Sequence, residues 1–251
     1  MPIEFLSETL LPSLIAGLVT AAWPERWSAR PRYPSEHEAP GQAQTAVLVA
    51  IIILGLVFAL LARMPTVYAA PTDSRSYELI DVVGQALAWA LVLIPMYLGA
   101  SHHQLKLADL QLHGRRWLSA IALSVVIGAI FFVAQGKVDA APRLWAWWGL
   151  YAALQYLVVG LAEEVFARGY LQVRWVAAAG WWVGWLGASL VMAALHLPQY
   201  LIAYQMEWLP AIVEVAQILP LSLLLGYVLH KNGNLLAPIL VHLWFNLASA
   251  L

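Results

Sequence analysis

An all-α, polytopic bundle of membrane-crossing helices is the fold class this chain predicts, on three observations. Apolar residues make up 62% of its 251 residues and charged ones only 11%, against about 25% charged in soluble domains. Its mean hydropathy is +0.74. Apolar runs recur near the length that crosses a bilayer, about 20 residues, where helices satisfy their own backbone hydrogen bonds.

The elements follow in order. Met1 to Ala22 carries Glu4 and Glu8 and lacks the basic start of a signal peptide, so it reads as a first span or an interfacial helix. Pro24 to Thr45, rich in Pro, Arg, Glu and Gln, is a loop. Clear spans follow at Ala46–Ala62, Leu79–Gly99, Trp117–Ala134 and Leu144–Phe166, and weaker ones at Val183–Leu197, Leu209–Leu229 and Leu235–Leu251. The spans number seven, or eight with Glu8–Ala22. With no internal repeat, residues 1–251 form one integral-membrane domain in a cell (inner) membrane, with membrane lipid as its solvent. The 13 tryptophans suit interfacial anchoring, with clusters at Trp145, Trp147 and Trp148 and at Trp175, Trp181, Trp182 and Trp185.

Loop charge orients the bundle. Loops after odd-numbered spans, in the eight-span count, hold nine cations: Arg26, Arg30, Arg32, Lys106, Arg115, Arg116, Arg168, Arg174 and Lys231. Loops after even-numbered spans hold four: Arg63, Arg75, Lys137 and Arg143. The odd loops are expected in the cytoplasm, and so is access to the polar residues described next. A net charge of −1 gives no case for nucleic acid, and zero cysteines exclude disulfides, a thiol nucleophile and Cys-ligated zinc.

Two adjacent carboxylates, Glu163 and Glu164, interrupt an apolar run. Each costs at least about 2.5–3.5 kcal/mol on insertion scales, and intramembrane charges are kept mainly where they face a cavity and function there. His196 interrupts a second apolar segment, and His242 with Asn246 a third. At about 1.5 Å per residue from the cytoplasmic markers Arg174, Trp181 and Asn234, Glu163 lies about 16 Å deep, His196 about 22 Å, His242 about 12 Å and Asn246 about 18 Å. Three helices thus carry a carboxylate, two imidazoles and an amide at comparable depth. Glu164 and Arg168 are four apart, as are His242 and Asn246, so each pair shares a helix face. Pro198 follows His196 closely enough to end or kink its helix.

The stretch from Glu163-Glu164 through Arg168, Gly169 and Leu171 resembles the EExxxR and GxL motif of the CAAX-protease and bacteriocin-processing family of glutamic-type intramembrane proteases. Asn234 to Asn246, with His242, resembles that family's HxxxN motif and its upstream Asn-Leu. Met192 to His196 resembles the FxxxH motif, with Met in place of Phe. The resemblance covers Leu144 to Leu251 and implies a catalytic core at 144–251.

It also implies roles. Glu163 and His196 would activate water, and His242 and Asn246 would form an oxyanion hole. Glu164 and Arg168 would support the helix, with no cofactor needed. The substrate would be a membrane-associated protein or peptide, or one bearing a C-terminal signal. Two other readings stand beside this one. Glu163, His196 and His242 could hold zinc with a water in the fourth position, although no HExxH spacing is present. A scaffold or immunity-type protein could keep the pocket without cleaving. Taken singly, each polar residue also has a structural reading: a charged helix end, a histidine on a backbone carbonyl, or interhelical hydrogen bonding. Glu214 and Asp81 are assigned structural or gating roles. His102, His103, His113 and His230 are read as solvated at loops or helix ends.

Overall fold

Helical segments of the expected kind build most of the described chain, and no strand occurs among the described residues. The computed structural model describes residues 6–24, 31–63, 79–112, 116–145 and 147–250. Arg26, Arg30, Arg75, Arg115 and His113 lie outside the described residues, and the side chains of Asp81, Arg143, Trp145, Trp147 and Trp148 lie outside what is described.

A π-helical turn, Leu6–Leu10, leads into α1 (Leu11–Ala21). Then come α2 (Ala39–Arg63), α3 (Leu79–Val92), α4 (Ile94–His102) and α5 (Trp117–Ala134). Next is α6 (Trp147–Glu164), which runs through a π-helix, Val165–Gln172, into α7 (Val173–Ala179). The last are α8 (Trp181–Ala194), α9 (Trp208–Asn232) and α10 (Leu236–Ala250). Five helical stretches are long and apolar enough to span a membrane, and the bent pair α3–α4 makes six. The shorter apolar helices Glu8–Ala21 and Leu236–Ala250 bring the apolar segments to the eight expected.

Boundaries differ from expectation where polar residues or prolines misled the reading. Leu79–Gly99 is no single rod. It bends by 42° between Val92 and Ile94, because Pro95 has no N–H to offer the carbonyl four residues back. The helix that carries the two glutamates does not stop at Phe166. It continues as Gly149–Ala179, because the charges that resemble a helix end are neutralised inside the protein.

The surface is that of a membrane protein. Leu48, Ile51, Ile52, Leu87, Leu118 and Leu190 are each more than half exposed, while Glu164, Arg168, Arg174, Ser189 and Asn232 are wholly buried. Two apolar cores result. One joins α2, α3, α6, the π-helix and α8 through Ile53, Trp89, Phe166, Leu171 and Met192. The other joins α1, α5, α9 and α10 through Ala16, Leu123, Phe131, Leu225 and Val241. Glu163 and Glu164 sit at the seam, between Ala162 and Val165 of the first core and facing Leu221 and Leu225 of the second across a shared cavity.

Close packing sets the orientation of α10. It lies against α5 and α6. Phe131 meets Phe245, and Phe132 meets Trp244, edge to face at 5.2 and 6.2 Å. At the start of α10 the Asn234 side-chain oxygen accepts the Leu236 N–H at 2.9 Å, and the Leu235 N–H donates to the Gln111 carbonyl at 3.1 Å. Gln111 in turn exchanges two hydrogen bonds with the Arg32 backbone, at 2.7 and 2.9 Å. Two histidines read as solvated are engaged here: His103 Nε2 lies 2.9 Å from the Thr45 hydroxyl, and His230 packs on the Trp181 ring at 3.9 Å.

Gly169 is where the π-helix passes under the Leu107–Leu110 turn. A Cβ there would lie 2.7 Å from the Leu110 carbonyl oxygen, a backbone atom with little freedom to move. At Gly160 a Cβ would meet Ile239 and His242 only at ordinary contact distances of 3.5 Å and more. Gly169→Ala is therefore expected to destabilise the protein by about 1–3 kcal/mol through overpacking. Gly160→Ala should be neutral or slightly stabilising, since Ala is the better helix former. Thermal unfolding of both variants in detergent checks the contrast.

Candidate active site

Glu163 and Glu164 lie at the last α-helical turn of α6, immediately before the π-helix. Such widened turns often occur at functional sites. Adjacent residues on a helix diverge by about 100°, so the two carboxylates address different neighbours.

Glu164 faces a closed polar cluster. Its Oε2 lies 3.3 Å from Arg168 Nε, and its Oε1 accepts from His242 Nδ1 at 3.1 Å. Arg168 Nη2 donates to both the backbone carbonyl and the hydroxyl of Ser222, each at 2.7 Å. Ser222 and Ser189 then exchange hydroxyl-to-carbonyl hydrogen bonds at 3.2 and 3.3 Å, tying α9 to α8. The π-helix is fixed further along. Gln172 donates to the Gly226 carbonyl at 3.0 Å. Arg174 donates to the Gly169 and Tyr170 carbonyls at 2.8 and 2.9 Å and lies over the Tyr170 ring.

Glu163 faces the other way, between two imidazoles. His242 Nε2 is 3.6 Å from its Oε2, and His196 Nε2 is 3.9 Å from its Oε1. Both separations exceed a direct hydrogen bond, and Glu163 Oε2 has no hydrogen-bond partner among the described residues. His196 Nδ1 lies 3.0 Å from the Met192 carbonyl. A carbonyl only accepts, so Nδ1 carries the proton and the Nε2 of the neutral ring presents a lone pair towards Glu163. Met192, which stands where the family motif has Phe, thus also fixes the tautomer of His196 through its backbone.

These groups line one end of a cavity of about 390 Å³. Glu163, Glu164, His196, His242 and Asn246 all border it. Five of the six expected site residues and supports, namely Glu163, Glu164, Arg168, His196 and His242, are within 4 Å of another member. Asn246 shares the cavity one turn beyond His242. Among the described residues no group of three His, Asp or Glu side chains is spaced to hold a metal ion.

Sequence reading missed three features. The link from His242 to Glu164 was not foreseen, because Glu164 was matched only with Arg168. Ser222 is the acceptor that completes the Arg168 cluster, and its signal was weak: a hydroxyl two residues after Pro220 in an apolar run. Glu214, assigned a structural or gating role, borders the cavity.

Arg168 is the buried partner on which Glu164 depends. Arg168→Met should destabilise the protein by about 3–5 kcal/mol, because it strands a buried carboxylate. The double variant Arg168→Met with Glu164→Gln should recover much of that loss. Guanidinium unfolding of the single and double variants measures the coupling.

Residues 143–248 match the family model described as Type II CAAX prenyl endopeptidase Rce1-like. No curated protein and no solved structure matches the chain. The matched segment, which carries the carboxylate pair and both histidines, is thus similar to the CAAX-type prenyl endopeptidases.

Proposed function

We propose that this protein is a glutamic-type intramembrane endopeptidase that hydrolyses a peptide bond through an activated water and no covalent intermediate. The observation that supports this most is the placement of Glu163 between His196 and His242 at the polar end of a cavity within the bundle. A water there can donate to the open Glu163 carboxylate and to the His196 Nε2 lone pair together. Glu163 takes its proton as the oxygen attacks the scissile carbonyl, and later returns it to the leaving amine.

His242 and Asn246 serve the oxyanion. Asn246 offers an amide N–H. His242, held by Glu164 through Nδ1, offers Nε2–H when the ring carries its second proton. Donors fixed in a water-poor site stabilise developing charge without having to reorganise. Arg168 and Ser222 act behind Glu164, holding the carboxylate that holds His242.

The substrate's side of approach follows from the cavity. Tyr204 and Glu214, just before and just inside the start of α9 and remote from Lys231 at its other end, border it. With Arg168 and Arg174 buried, seven loop cations remain on the Lys231 side against four. The positive-inside rule then puts the mouth on the non-cytoplasmic side. Access from the cytoplasm was the reading from loop charge and depth alone, because depth does not tell which half of the bundle is hollow. Substrates would be exported or membrane-anchored proteins presented on that face.

Two measurements test this reading. Peptidase assays of the purified protein should find Glu163→Gln inactive yet folded. Asn246→Ala should lose about 10²–10³-fold in kcat with little change in KM. Activity should persist in EDTA. Near wild-type turnover by Glu163→Gln would overturn the glutamate base, and loss in EDTA restored by zinc would favour a metal site on Glu163, His196 and His242.

Single cysteines in this cysteine-free chain report the orientation. Lys231→Cys should react with an impermeant maleimide only from the cytoplasmic side, and Tyr204→Cys only from the opposite side. The reverse labelling pattern would return the mouth to the cytoplasm.

A further inference from the structure

Beyond the reacting groups, the cavity wall mixes apolar and aromatic side chains, Trp89, Tyr156, Leu221 and Phe245 among them, with four amides and one carboxylate. Gln85, Gln155, Gln199 and Gln217 come from α3, α6, the turn after α8 and α9, and all border the cavity.

Glu214 lies on the same wall, about 9 Å into its span from Trp208 at 1.5 Å per residue. It makes no hydrogen bond or ion pair among the described residues. A carboxylate within a span is costly and is kept mainly where it faces a cavity and a partner. Tyr200 and Tyr204 border the cavity with it, their ring centroids 5.8 Å apart, and aromatic faces favour cations.

We infer that Glu214, with Tyr200, forms a subsite for a cationic substrate side chain. This rests on Glu163 marking the reaction centre. Along α9, Glu214 is eight residues from Ser222, the level of the Arg168 and Glu164 cluster, which is about 12 Å. An extended peptide covers that in three to four residues, at about 3.3–3.6 Å each. The cationic residue, Lys or Arg, therefore lies three to four positions from the scissile bond.

Internally quenched peptides carrying Lys, Ala or Glu at the third and fourth positions on either side of the cleaved bond test this. The wild-type protein should prefer Lys over Glu at one of these positions by about tenfold in kcat/KM. Glu214→Gln should erase that preference, and Glu214→Lys should invert it. An unchanged preference in both variants, or no preference at any of these positions, overturns the subsite. Binding gives a readout independent of turnover. A fluorescent Lys-bearing peptide should bind Glu163→Gln, and bind at least several-fold more weakly once Glu214→Gln is added. If that binding depends on Glu214 while the wild-type protein cleaves nothing, the catalytic reading fails and the subsite stands. Binding that does not depend on Glu214 overturns the subsite even if cleavage is observed.

Discussion

The neutralisation of Glu164 by Arg168 deep inside the bundle is the interaction on which the site depends. Both side chains are fully buried and 3.3 Å apart. Two ions removed from water repay their desolvation only when their remaining hydrogen-bonding groups are also engaged. Here Ser222 accepts twice from Arg168, and His242 donates to Glu164. Four segments are thereby drawn together: α6 with its π-helix, α8 through Ser189, α9, and α10. Remove the pair and these helices keep their apolar faces but lose the contacts that select one register among several.

The two glutamates divide labour by environment. Glu164 sets one oxygen against His242 and the other against the Arg168 guanidinium, whereas Glu163 holds its carboxylate beside two imidazoles at distances a small molecule can bridge. Adjacent positions on one helix suffice for this, because a rotation of about 100° separates a closed environment from a hollow one. The apolar cores lie on either side of the hollow, one including Phe166 and Met192, the other Val241 and Phe131.

Much of this was legible in the residues. Hydropathy located the spans, since the bilayer demands long apolar helices and leaves few alternatives. Glu163, His196, His242 and Asn246 stood out because polar groups are expensive at such depth. What stayed hidden depended on packing. Arg168 and Arg174 count as loop cations in a charge tally, yet both are interior, because carbonyls and a carboxylate supply in three dimensions what water supplies at a surface. Ser222 is a common residue in apolar helices, and only its juxtaposition with Arg168 gives it meaning. The direction in which the cavity runs has no one-dimensional signature, since residues at equal depth can line either half of a bundle.

The π-helix at Val165–Gln172 has a consequence for how such a segment can vary over evolutionary time. A wide turn accommodates one residue more than an α-helical path would. Deleting a single residue from it would close the wide turn to α geometry and change the spacing of the side chains and carbonyls paired across it. Gln172 and Arg174 would then sit out of register with the carbonyls of Gly226, Gly169 and Tyr170 that hold them. Substitution among apolar side chains is tolerable along this stretch, but a change in its length is not, so its descendants should differ in residue identity while keeping the same residue count.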